Sequence, residues 1–233
     1  MTANHDREVL PAGVTPAVVL FDLDNTLIDR VAAFRSWASA FVVEHGLGGE
    51  VATLVLEQVD RDGFLPRADF FEDVRAHFGL TTPIATLLRD YGTRYPQCVT
   101  PPPPATFAAL QMLRDRGWRV GVVTNGAPTQ ATKFAAAKLT EILDGWVISE
   151  VVGLRKPDPG IFAAAARACG ATLDGGWMVG DSPEADIAGA VNCGLRSIWI
   201  RRGRDWPVDA FRPDAIVDTI PEAVAHLLGE APN

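Results

Sequence analysis

Six short apolar runs punctuate this chain, and the first is unbroken until it meets an acid: Ala17 to Asp22 reads AVVLFD. A continuous run of that kind suits a parallel strand buried on both faces. Similar runs follow at Arg119 to Thr124, Trp146 to Ser149, Gly176 to Gly180, Ser197 to Ile200 and Ala215 to Val217. Helical spacing of apolar residues fills the gaps at 105–116, 128–139, 160–169 and 184–193. The alternation predicts a doubly wound, mostly parallel α/β sheet. Periodicity carries no information on strand order.

One stretch departs from this rhythm. From Arg30 to Pro96 every pattern is helical, at 31–44, 50–59, 67–78 and 83–91. The four prolines Pro101–Pro104 then form a stiff spacer before the next helix. The expected organisation is a catalytic core from 15–29 and 104–229, with an all-helical cap and its Pro-rich linker inserted at 30–103. Residues 1–14 are expected to be a disordered tail. The segment Asp60 to Arg67 joins two helices of the insert and is a candidate for substrate specificity.

Composition narrows the choices. With 48% apolar residues the chain can fill a core, and its net charge of −8 argues against nucleic acid as a partner. No signal peptide or membrane-spanning run is evident in the sequence. Cys98, Cys169 and Cys193 match neither a disulfide framework nor a zinc pattern, and read as free thiols of a cytoplasmic protein. Arg201, Arg202 and Arg204 with Trp206 read as a solvated basic loop.

Ligands of open α/β sheets bind beyond the carboxyl ends of the strands. Four strand ends deliver polar groups there. The first offers Asp22, Asp24, Asn25 and Thr26; the second Thr124 and Asn125; the segment after the third Lys156; the fourth Asp181, with Asp186 soon after. Several carboxylates brought together repel unless a cation intervenes. An all-oxygen ligand set favours Mg²⁺, and the metal with Lys156 would supply positive charge to an acidic protein.

The chain resembles the haloacid dehalogenase superfamily of aspartate-nucleophile hydrolases in FDLDNTL (Phe21 to Leu27), VTNG (Val123 to Gly126), KPDP (Lys156 to Pro159) and GDSPEAD (Gly180 to Asp186), in that order. The resemblance implies that Asp22 is the nucleophile and forms an aspartyl-phosphate. It implies Mg²⁺ on Asp22, the Asp24 carbonyl and Asp181. Asp24 would serve as general acid and then base. Thr124 and the Asn125 amide would hold phosphate, and Lys156 would pair with nucleophile and phosphate. Asp186 would orient Lys156 or the metal's waters, and Thr26 would stiffen the turn.

The dehalogenases of this superfamily carry no acid two residues after the nucleophile, because halide leaves without a proton. Asp24 therefore favours a phosphatase. Phosphonate-cleaving relatives use a cap lysine, and Arg30 to Pro96 contains none. The expected activity is Mg-dependent hydrolysis of a small phosphomonoester: a sugar phosphate, phosphoglycolate or a nucleoside monophosphate. The alternatives are a carbon–halogen hydrolase and a non-catalytic, phosphoaccepting regulatory protein. The protein is expected to act as a monomer or homodimer, with a small phosphorylated metabolite as partner and neither nucleic acid nor membrane.

Overall fold

The computed structural model describes residues 16–63 and 65–229. The tail expected at 1–14 lies outside the described residues. The chain divides into two compact units, one made of Met1–Ile28 with Pro101–Asn233 and the other of Asp29–Thr100.

The first unit holds six strands: β1 (Ala17–Phe21), β2 (Arg119–Thr124), β3 (Gly145–Ile148), β4 (Thr172–Gly180), β5 (Arg196–Ile200) and β6 (Ala215–Val217). They form one sheet in the order β3-β2-β1-β4-β5-β6, with every pairing parallel. The strand order reverses between β1 and β4, and that switch point is where such sheets open a crevice. Val18, Val19, Leu20 and Phe21 are all fully buried, as a strand covered on both faces requires. Register places the functional ends: Phe21 is level with Val122 of β2 and Val179 of β4, so Asp22 leaves one residue past that row, and Thr124 and Asp181 two.

Ten α-helices complete the described residues. The helical unit has α1 (Arg30–His45), α2 (Glu50–Asp60), α3 (Arg67–Phe78) and α4 (Ile84–Arg94). The sheet unit has α5 (Pro104–Asp115), α6 (Gln130–Ala136), α7 (Ser149–Val152), α8 (Pro159–Ala168), α9 (Ala188–Asn192) and α10 (Ile220–Leu228). Ile161, Phe162, Ala165 and Ala166 of α8 pack on Val18, Leu20, Val123, Val147 and Met178. The alternate residues Val19 and Phe21 face the opposite side. On that side α5 packs on β2, and α10 packs on α5 and β5.

The helical unit folds around aromatic residues at helical spacing. Phe34, Trp37, Phe41 and Val42 share the buried face of α1, which begins where the Asp29 carboxylate accepts from the Ala32 amide at 2.9 Å and ends at the left-handed Gly46. The Trp37 ring meets Phe34, Phe41, Phe70, Phe71 and Tyr91 at centroid separations of 4.8–6.0 Å. Burying each such side chain is worth about 1.5–3 kcal/mol. Among the described residues this unit has no strand.

Three elements differ from the sequence reading. β4 begins at Thr172, four residues before the expected 176, because Asp174 and the left-handed Gly175 imitate a turn inside the strand. The single helix expected over 184–193 is a π-helical turn, Pro183–Ile187, followed by α9. And α10, which the apolar pattern had not singled out, starts at a Thr219 cap and stops at Gly229.

Candidate active site

Asp22 lies 7% exposed at the end of β1, its amide tied to the Val179 carbonyl at 2.9 Å. Its Oδ1 accepts from Lys156 Nζ at 2.5 Å. The same ammonium donates to Asp186 Oδ1 at 2.7 Å. Lys156 is itself buried and leads into a cis peptide bond with Pro157. Its backbone is held by Asn125, whose Oδ1 accepts from the Lys156 amide at 2.9 Å while its Nδ2 donates to the Lys156 carbonyl at 3.1 Å. The side chain of Asn125 therefore clamps the lysine segment against the end of β2.

The π turn explains how Asp186 reaches the lysine. The Ile187 amide reaches back five residues to the Ser182 carbonyl at 3.3 Å, widening the turn and rotating Asp186 to full burial. Its second oxygen accepts from the Ser182 amide at 3.0 Å. Gly180 makes room: a Cβ there would fall on the Asp186 carboxylate.

Asp22, Asp181 and Asp186 each offer an oxygen, and the three oxygens lie within 4.8 Å of one another. Two of these carboxylates, Asp22 and Asp186, share the Lys156 ammonium. Burial raises the Asp22 carboxyl most; Lys156 pulls it down, Asp186 and Asp24 push it up, and it stands at about 7. Burial also dominates at Asp181, raised to about 6, with Asp22 adding to the rise and Arg202 and Arg204 opposing it. Asp186 is raised as well, first by burial, with Lys156 opposing. For Lys156 burial disfavours the charge, but Asp186 and Asp22 outweigh it and hold the ammonium firmly protonated. A buried, oxygen-only cluster whose acids are pushed up by burial and by one another fits a hard divalent cation. Both Asp186 oxygens already have donors, so Asp22 and Asp181 are its better-placed side-chain ligands.

Asp24 turns the other way. Both of its oxygens accept from Lys133 Nζ at 2.7 Å, and Oδ2 also accepts from Gln130 Nε2 at 2.8 Å. Gln130 donates as well to the Thr124 hydroxyl at 3.1 Å, so a fully buried Thr124 and Asp24 share one amide. Sequence reasoning passed over Gln130 and Lys133. Their spacing of three along one face of a helix, in a chain with three lysines against eighteen arginines, was the available signal.

Two further expectations change. The Thr26 hydroxyl is buried and has no hydrogen-bond partner among the described residues. The turn is instead stiffened by backbone bonds: Asn25, in the left-handed region, donates to the Ile28 carbonyl at 2.8 Å, and Leu27 and Ile28 both donate to Leu23 at 3.0 Å. The basic loop is not merely solvated. Arg202 Nη1 and Arg204 Nη2 reach Asp181 Oδ2 at 3.0 and 3.2 Å, and Arg204 also donates to the Asp181 carbonyl at 2.7 Å beside the Trp199 indole. Arg201 pairs outward with Asp218.

A doubly wound parallel sheet with an acidic, lysine-bridged cluster at its switch point marks a hydrolase of Rossmann-like α/β architecture. The chain belongs to the haloacid dehalogenase-like hydrolase family, whose model matches residues 16–194. It is 27% identical over 197 residues to a glyceraldehyde 3-phosphate phosphatase of Pyrococcus abyssi, covering 80% of this chain and 82% of that protein. Among solved structures it resembles a HAD phosphatase from Thermococcus onnurineus, at 26% identity and a TM-score of 0.64 over 92% of this chain and 99% of that one. A 2-haloacid dehalogenase from Pseudomonas syringae superposes with a TM-score of 0.61 at 25% identity over 92% of this chain and 98% of that one.

Proposed function

We propose that this hydrolase cleaves small phosphomonoesters by transferring the phosphoryl group to Asp22. The carrying observation is the Asp22 carboxylate, with Oδ1 bonded to Lys156 and Oδ2 lacking a donor among the described residues, beside a second acid, Asp24, that is held separately. Asp22 Oδ2 forms the new bond to phosphorus as the ester P–O bond breaks, and protonated Asp24 gives its proton to the leaving alkoxide. Water then attacks the aspartyl-phosphate, Asp24 takes a proton from it, and the P–O bond to Asp22 breaks to release phosphate. Each turnover returns Asp24 to its starting state.

Lys156 offsets charge on the transferring group. Thr124 and the Asn125 amide hold its oxygens. Asp22, Asp181 and the Asp24 carbonyl would hold Mg²⁺, which when bound polarises the phosphoryl group and neutralises charge. Asp186 and Asn125 fix Lys156 from behind. The inserted helical unit acts in this reading as a cap that selects substrate. The name of the similar glyceraldehyde 3-phosphate phosphatase supports a small phosphorylated metabolite, here of the sugar phosphate, phosphoglycolate or nucleoside monophosphate kind. In this reading the enzyme acts in the cytoplasm as a monomer or homodimer.

Likeness to a dehalogenase raises carbon–halogen hydrolysis as the second reading. Asp24 argues against it, because a departing halide needs no proton donor. Turnover of p-nitrophenyl phosphate with Mg²⁺, set against a 2-haloacid, separates the two. Asp22→Asn is expected to abolish phosphate release and covalent labelling by ³²P-substrate together. Wild-type turnover in that variant would refute the nucleophile assignment.

A further inference from the structure

The chain uses arginine for nearly every cation, eighteen against three lysines. Two of those lysines are buried, and each bonds one acid of the Asp22–Asp24 pair: Lys156 the first, Lys133 the second. An ammonium is a compact point charge on a flexible stem, whereas a guanidinium imposes a planar fork. Lys133 faces both Asp24 oxygens, each at 2.7 Å. Gln130, three residues earlier on the same face of α6, adds a third bond to Asp24 and a fourth to Thr124. Space for this amide exists because residue 126 is glycine; a Cβ there would fall on the Gln130 side chain. The aspartate that must meet the leaving oxygen is thereby anchored by a helix more than a hundred residues away in sequence.

We propose that Lys133, assisted by Gln130, is a positioning residue for proton transfer: it fixes the direction of the Asp24 carboxyl group that exchanges a proton with the leaving oxygen. The inference rests on the proposed phosphatase reading and deepens it. Lys133 acts on the reaction through its two bonds to Asp24. Its removal should therefore matter where the leaving group needs a proton and be nearly silent where it does not. An alkoxide leaves badly unprotonated, while p-nitrophenolate leaves well.

The test compares kcat/KM for glycerol phosphate, or the best alkyl phosphate of a metabolite panel, with kcat/KM for p-nitrophenyl phosphate. General acid catalysis is typically worth about 10²–10⁴-fold, and misplacing the acid should forfeit about ten- to a hundredfold of it on the alkyl ester. Lys133→Met is expected to show that loss while p-nitrophenyl phosphate falls by less than about threefold. Lys133→Arg should recover part of the alkyl-ester rate; Gln130→Ala, which also frees the Thr124 hydroxyl, should lower both substrates. In an Asp24→Asn background Lys133→Met should add nothing, since the group it positions is gone.

An equal loss on both substrates in Lys133→Met, with unaltered circular dichroism, overturns the proposal, as does a Lys133→Met effect that persists undiminished in the Asp24→Asn background. The parent reading fails separately. It is lost if the wild type hydrolyses no alkyl phosphate, or if Asp24→Asn does not itself discriminate between the two leaving groups. Should Lys133→Met fail to fold, Lys133→Gln and Lys133→Arg carry the same leaving-group comparison.

Discussion

The two units each bury a charged cluster, and the clusters differ in how their charges are held. In the sheet unit Lys156 bridges Asp22 and Asp186, while Asp181 takes Arg202 and Arg204 from the loop after β5. In the helical unit one Asp60, 2% exposed, receives two arginines: Arg30 Nη2 at 2.8 and 2.6 Å and Arg67 Nη1 at 2.8 Å. Arg30 also lies 3.6 Å from Asp62, and both guanidiniums rest on ring faces, Arg67 above Phe34, Phe70 and Tyr91 at 4.6–5.8 Å and Arg30 over Phe34. In the sheet unit burial and the nearness of the acids to one another push Asp22 and Asp181 up to about 7 and about 6 despite their cationic partners. The first cluster is held by ion pairs and ring faces; the second keeps carboxylate oxygens that would take an added cation.

The sharpest way to break that contrast is to damage each cluster and read both stability and turnover. Asp60→Asn leaves two arginines without their carboxylate. Removing one partner of a buried ion pair costs about 3–5 kcal/mol, and urea unfolding should show a loss of that order. Protein that remains folded should keep its turnover of p-nitrophenyl phosphate. Lys156→Met should behave inversely, with turnover reduced by about 10²–10³-fold, the usual effect of deleting one charge-stabilising donor. Its far-ultraviolet spectrum should stay unchanged. If Asp60→Asn silenced turnover while Lys156→Met spared it, the division of labour would be reversed.

These clusters also mark how far the sequence could be read. The strand-end acids were visible because each sits in a local motif: Asp22 and Asp24 flank one residue after an apolar run, and Asp181 follows Gly180 at the end of another. Lys133 and Gln130 were not, because their meaning lies in Asp24, over a hundred residues away. Arg202 and Arg204 looked like a solvated charge run; only the path of the loop after β5 turns them onto Asp181. Strand order was invisible for a related reason. A strand buried on both faces has the same apolar signature wherever it lies in the sheet, so Ala17–Phe21 could not announce that it sits between β2 and β4. The turn imitated by Asp174 and Gly175, and the wide π turn that aims Asp186, depend on backbone geometry that residue type underdetermines.

The smallest predicted effect tests whether the acidic cluster takes an added cation. Asp22 holds its proton up to about 7 when folded, against 3.8 for an ordinary carboxylate, and Asp181 up to about 6. Between those limits the folded state binds protons that the unfolded chain has released. Stability from these groups is therefore fully present below the unfolded value and lost as pH rises through the folded one. In EDTA the melting temperature should fall from about pH 5 to about pH 8 by more than it does in Asp181→Asn. Mg²⁺ binds the ionised carboxylates, so it should restore most at the alkaline end. At a hundred times its dissociation constant a ligand adds about 2.7 kcal/mol, roughly 5–10 °C for a chain of this size. Asp181→Asn should lose most of that gain, whereas a variant outside the cluster, such as Arg35→Ala in the helical unit, should retain it. A Mg²⁺ response of equal size in Asp181→Asn would place the ion elsewhere, and the raised acids at the switch point would then need another explanation.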